Sequence, residues 1–146
     1  MYIIKNWIAY YLPTATLFPK TIKQDLSRFS RDIEMAKFMS KYPLSWPYGP
    51  RPATGIELVK TTQYVSDNAD KIGLTNIPLL ILHGTNDDAT KSSMSLKMIE
   101  KVSSTQNNKD ATIKLLDGGV HGLMVDICRD KCLNMIVEWL QKHEKK

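Results

Sequence analysis

The residues of this chain best suited to chemistry are two neighbouring carboxylates, Asp87 and Asp88, and a histidine, His121. The acids close the phrase "LLILHGTNDD" and the histidine closes "ATIKLLDGGVH", each just past an apolar run that breaks at glycine. A carboxylate can fix the tautomer of an imidazole and stabilise the imidazolium, while the imidazole takes a proton from a nucleophile. An acid and then a histidine, at two successive strand ends, is therefore a candidate proton-transfer pair. Taken singly the two residues say less. An acid in a polar loop can cap the next helix, and a histidine in a glycine-rich turn is commonly only solvated.

The elements that must position them follow from the hydrophobic pattern. "IPLLILHG" is a continuous apolar run of strand length, as expected for a strand covered on both faces. "KSSMSLKMIEKVSS" spaces Leu96, Ile99 and Val102 three apart, which predicts an amphipathic helix. "ATIKLLDGG" is a second, shorter strand, and a closing helix is predicted from about Asp130 to Lys142. Its apolar face is Cys132, Met135, Ile136, Trp139 and Leu140. Strand, helix, strand at this spacing predicts a right-handed parallel crossover of an open α/β sheet. In such sheets functional groups gather beyond the carboxyl ends of the strands, where both candidate residues fall.

The first half of the chain reads differently. An apolar helix carrying Ile3, Ile4, Trp7, Ile8, Tyr11 and Leu12 runs to Pro13, and a polar link continues through Pro19. The charged amphipathic segment "TIKQDLSRFSRDIEMAKFMSKY" comes next. "PLSWPYGPRPATG" packs four prolines and two glycines, so no regular element is expected there. A helical period resumes in "IELVKTTQYVSDNADKI". Residues 1–73 are thus read as a helical segment, and 74–146 as the α/β part.

Composition sets the outer limits. The 146 residues are 42% apolar and 24% charged, an ordinary globular balance. The net charge is +5, and residues 1–73 hold ten Lys/Arg against six Asp/Glu. No basic cluster is interleaved with aromatics and no nucleic-acid motif occurs, so nucleic acid is not an expected partner. Cys128 and Cys132 have no second Cys/His pair to complete four ligands, so no metal site is expected. They read as small buried hydrophobes on the closing helix. The opening residues lack the features of a secretory signal, and no apolar run is long enough to span a bilayer. A cytoplasmic location is expected, with peripheral membrane contact as an open alternative.

Acid before histidine near the C-terminus is also the tail order of the α/β-hydrolase triad. "PLLILHGTNDDAT", a helix and then "TIKLLDGGVHGL" resemble the closing half of monoacylglycerol-lipase-like and lysophospholipase-like α/β-hydrolases, which are serine hydrolases. The resemblance implies a partial α/β-hydrolase fold: a helical cap segment over 1–73, then the last two parallel strands and their helices. It implies that Asp87, rather than Asp88, is the catalytic acid and that His121 is the catalytic histidine. It also implies a lipid-contacting cap that includes Trp7, Ile8 and Tyr11, a lipid ester such as a monoacylglycerol or lysophospholipid as substrate, and no cofactor. Thr90 stands where the family usually has a hydrophobic residue, and His83–Gly84 is not its oxyanion motif. The main departure is the nucleophile. The family's G-x-S-x-G occurs nowhere among the 146 residues. The serine is then expected on the missing N-terminal half of the fold, or on a partner chain that supplies it. The alternative is a non-catalytic truncated remnant or binding module of the same fold.

Overall fold

The computed structural model describes residues 7–8, 10–15, 25–44, 50–73, 77–105 and 110–144. Ile3, Ile4 and most of the link around Pro19 lie outside the described residues. The chain packs as two compact units, one of Met1–Asp25 with Pro43–Asn68, the other of Leu26–Tyr42 with Ala69–Lys146. Residues 26–42 therefore pack in the unit that holds the strands, although they lie within the first half of the sequence.

In the first unit Trp7, Ile8, Tyr10 and Tyr11 are helical, and helix α2 runs Pro52–Asp67. This helix begins inside the proline-rich stretch that was expected to be irregular throughout. Pro52 sits in its first turn, where the missing N–H would have no helical partner and the fixed φ already suits a helix. The second unit contains helix α1 (Ile33–Lys41), a short helix α3 (Ala69–Gly73), strand β1 (Leu79–Gly84), helix α4 (Ser92–Ser104), strand β2 (Ala111–Leu116) and helix α5 (Arg129–Glu144). The amphipathic segment before residue 42 is regular α-helix only from Ile33. Asp32 ends the preceding turn by accepting hydrogen bonds from the Glu34 and Met35 N–H groups, as a helix N-cap does.

The two strands pair in parallel, with Leu79 opposite Ala111 and Gly84 opposite Leu116. Helix α4 packs on both strands and on α3, and α5 packs on β1 and on the turn Leu123–Val125. Among the described residues the buried apolar side chains are Ala69, Val102, Leu116, Val120 and Cys132. Strand β1, expected to be covered on both faces, is only half-buried from Leu79 to His83. Leu133, Val137 and Leu140 of α5 stay exposed. More apolar surface is made than these elements can cover.

The strand ends meet tightly. A Cβ on Gly84 would collide with the Gly119 carbonyl and come 2.9 Å from the Val120 oxygen. Gly118 adopts φ +67°, a left-handed conformation open to glycine, and it turns the chain back towards Gly84. Because the obstacle at Gly84 is backbone, Gly84→Ala is expected to destabilise the fold by about 1–3 kcal/mol. A shift in the urea midpoint would show it, and an unchanged midpoint would mean the two loops do not approach this closely.

Candidate active site

The loops that leave β1 and β2 are stitched together by their backbones. Thr85 N–H donates to the Leu116 carbonyl at 3.0 Å and Asn86 N–H to the Gly119 carbonyl at 2.9 Å. Gly118 N–H donates to the Thr85 hydroxyl at 2.8 Å. This holds the acid loop beside the histidine loop, so that His121 Nδ1 lies 2.9 Å from Asp87 Oδ2. The carboxylate can only accept, so Nδ1 carries the proton. Nε2 has no hydrogen-bond partner among the described residues, and 37% of the His121 side chain is open to solvent.

Asp87 is itself buried, at 7% exposure. Its Oδ1 accepts from the Ala89 and Thr90 N–H groups, each at 2.9 Å, and its Oδ2 accepts from the Thr90 hydroxyl at 2.7 Å. The carboxylate therefore organises its own loop and does not cap the next helix: α4 starts after Lys91 and has no side-chain cap. Burial pushes the Asp87 carboxyl up, but the bonds from Thr90 and His121 outweigh it and hold the group down at about 2. Asp88 points elsewhere. Both of its oxygens accept from Arg28 Nε, at 2.9 and 3.0 Å, in an exposed pair.

A segment that no local sequence pattern marks out braces the histidine loop. Arg28 and Phe29 carbonyls accept from the His121 and Gly122 N–H groups at 3.3 and 2.9 Å. The Phe29 ring meets His121 edge-on, with centroids 5.3 Å apart. Ser30 donates to the Val125 carbonyl at 2.6 Å. Arg31 grips Asp126 through its backbone N–H at 2.6 Å and through its guanidinium. Asp126 is buried, which raises its carboxyl, but Arg31, the Cys128 thiol and the Ile127 N–H bring it down to about 2. Burial, together with Asp126 and Cys132, pushes Cys128 up to about 11. The thiol thus stays protonated and donates to Asp126 Oδ2 at 3.2 Å. Cys132 is fully buried, and no cluster of potential metal ligands occurs among the described residues.

The two depressed carboxyls have a consequence for stability. A group whose folded pKa lies below its unfolded value stabilises the fold above the unfolded value and stops doing so as pH falls through the folded one. The ordinary carboxyl value is 3.8 and the folded value about 2, so each contributes up to about 2 kcal/mol that disappears between pH 4 and 2. The urea midpoint should fall across that window, and the fall should be shallower in Asp126→Asn. An identical slope would mean that the Arg31–Asp126 contact does not persist in solution.

Trp7, Ile8 and Tyr11 lie in the other unit. Trp7 and Tyr11 are exposed, with ring centroids 5.2 Å apart, and Ile8 is half-buried. Among the described residues no helix is long and apolar enough to cross a membrane.

Comparison with known proteins gives the site a context. The family described as serine aminopeptidase, S33, matches residues 1–127. Caffeoylshikimate esterase of Arabidopsis thaliana is 33% identical over 119 residues, which is 80% of this chain and 34% of that protein. The crystal structure of the Paleococcus ferrophilus monoacylglycerol lipase is similar at a TM-score of 0.76 and 22% identity, covering 97% of this chain and 51% of that one. A soluble variant of monoglyceride lipase from Saccharomyces cerevisiae, in complex with a substrate analogue, is similar at 0.75 and 21%, covering 97% and 46%. This chain spans between a third and a half of the length of these relatives. The strand-ending acid and histidine loops therefore stand on part of an α/β-hydrolase fold like that of monoacylglycerol lipases, and the chain belongs to the S33 serine aminopeptidase family of hydrolases.

Proposed function

We propose that this chain is the histidine- and acid-bearing part of a serine hydrolase that cleaves lipid esters, and that its nucleophile lies outside residues 1–146. The observation that carries the reading is the 2.9 Å bond from His121 Nδ1–H to Asp87, with no partner on Nε2 among the described residues. In that arrangement Nε2 takes the proton of an attacking serine as its oxygen bonds to the ester carbonyl. The ionised Asp87 stabilises the imidazolium, and His121 then returns the proton to the departing alcohol. Water repeats the sequence to release the acid.

The remainder of the fold has a place to dock. Strand β1 pairs only with β2 among the described residues. Beside it an apolar groove of about 690 Å³ is lined by Leu79, Leu82, Leu123, Ile136 and Trp139, among others. The Trp139 indole N–H is buried and has no partner among the described residues. Such an orphan donor costs about 1–3 kcal/mol unless something brings it an acceptor. The nucleophile-bearing half, covalent or as a partner chain, would supply the cover.

The lipid-ester reading draws on the likeness to monoacylglycerol lipases and on exposed aromatics at Trp7 and Tyr11, which suit an acyl chain or a membrane surface. In the complete enzyme, hydrolysis of monoacylglycerol or lysophospholipid should disappear in His121→Ala. Replacing Trp7 and Ile8 by serine should weaken long-chain substrates far more than short soluble esters, read as kcat/KM on each. Equal losses on both would mean that these residues only pack. A non-catalytic remnant is the second reading, favoured by the lack of G-x-S-x-G in the chain. Inactivity of the completed enzyme would establish it.

A further inference from the structure

Strand β1 carries a second histidine, which the proposed chemistry leaves unused. The His83 side chain is 11% exposed, and both of its nitrogens are engaged. Nε2 lies 2.9 Å from the Thr90 carbonyl and Nδ1 lies 2.8 Å from the Ser95 hydroxyl. A carbonyl can only accept, so Nε2 carries the proton, and the neutral ring then accepts from Ser95 at Nδ1. Thr90, the residue that His83 holds, gives Asp87 both its N–H and its hydroxyl. Asp87 Oδ2 in turn receives His121 Nδ1–H.

We propose that His83 is a positioning residue for the candidate acid: it pins Thr90, and Thr90 orients the Asp87 carboxylate towards His121. The inference rests on reading Asp87 and His121 as a catalytic pair. The physical need is clear from where the parts sit. Thr90 is exposed and lies in the loop between β1 and α4, whereas His83 is on a strand and Ser95 is on α4. The hydrogen bonds tie the loop to the two regular elements that it connects. Asp87 Oδ2 is also 3.4 Å from His83 Nε2, so the same N–H favours the carboxylate's charge without competing for its place. Ser95, His83 and Asp87 have the residue types of a triad but not its connectivity. The His83 nitrogen nearest the acid is already committed to a carbonyl, and the other faces a hydroxyl that must donate to it.

The test is proton NMR of this chain with ¹⁵N-labelled histidine, which resolves the His121 Nδ1–H in its bond to a carboxylate as a far-downfield resonance. His83→Leu should abolish or broaden that signal. His83→Gln, whose amide can still donate from the Nε2 position, should retain it. A signal that survives His83→Leu, or one lost equally in both variants, would overturn the positioning role while leaving the Asp87–His121 pair intact. A wild-type chain without the signal would overturn the pair itself and the role of His83 with it. If His83→Leu fails to fold, Ser95→Ala decides. It removes only the donor to Nδ1 and should broaden the signal, and a sharp, unchanged resonance would overturn the proposal.

Discussion

In the complete enzyme, Asp87→Asn is expected to lower turnover by about 10⁴-fold, the size of loss seen when a triad carboxylate becomes an amide. Asp88→Asn should leave turnover close to wild type. The two acids are neighbours in sequence, but their environments are opposite. Asp87 is buried, accepts three hydrogen bonds from its own loop and bonds His121 Nδ1. An asparagine there can turn its NH₂ to the imidazole, which stabilises the tautomer with the proton on Nε2, where a base cannot act. Asp88 is half-exposed and bound to Arg28, an exposed pair worth about 0–1 kcal/mol. Because Asp87 is held at about 2, it remains ionised at every pH where the enzyme would be assayed. Loss of rate on acidification would therefore report a group other than this acid. A kcat series on a soluble ester for the two variants checks the assignment. Reversed results would move the acid to Asp88.

What the sequence disclosed, and what it hid, follows from the range of the interactions. The strands and helices after residue 77 were legible because apolar spacing is local: Leu96, Ile99 and Val102 mark a helix wherever they occur. Asp87 and His121 were legible as a pair because each follows a strand, and parallel strands bring their ends to one rim. The start of α2 is hidden by proline density, because a proline that breaks a helix interior is favourable in a helix's first turn. The brace at Arg28–Arg31 was not legible at all. Arg31 and Asp126 are 95 residues apart in sequence, and nothing in the local pattern of "SRFSRD" names an acid as its partner. Thr90 departs from the hydrophobic residue usual in the family, yet it supplies two of the three loop bonds to Asp87. An acid followed three residues later by threonine was the available signal, since side chains of these types bond to backbone a few residues away. His83 has no local signal beyond the His-Gly pair, which is not the oxyanion motif. Its role emerges from its contacts with Thr90 and Ser95, and the second of these lies in the following helix.

By itself, the chain of 146 residues is expected to leave esters untouched and to resist a fluorophosphonate probe, which labels activated serines covalently. His121 with Asp87 supplies a base, but a base alone neither forms the acyl intermediate nor holds the negative charge that develops on the carbonyl oxygen. Loss of one oxyanion donor costs about 10²–10³ in rate, and the serine motif that would accompany such donors is absent from these residues. Joining the chain to the nucleophile-bearing half of a related hydrolase should restore labelling, and His121→Ala should remove it again. Labelling of the isolated chain, abolished by His121→Ala, would place a nucleophile within residues 1–146. Ser95 would then be the first to replace, because its hydroxyl already bonds an imidazole. Labelling that instead disappeared in His83→Gln would mean that the half-buried Ser95–His83 contact opens in solution, and that the two histidines compete for one acid.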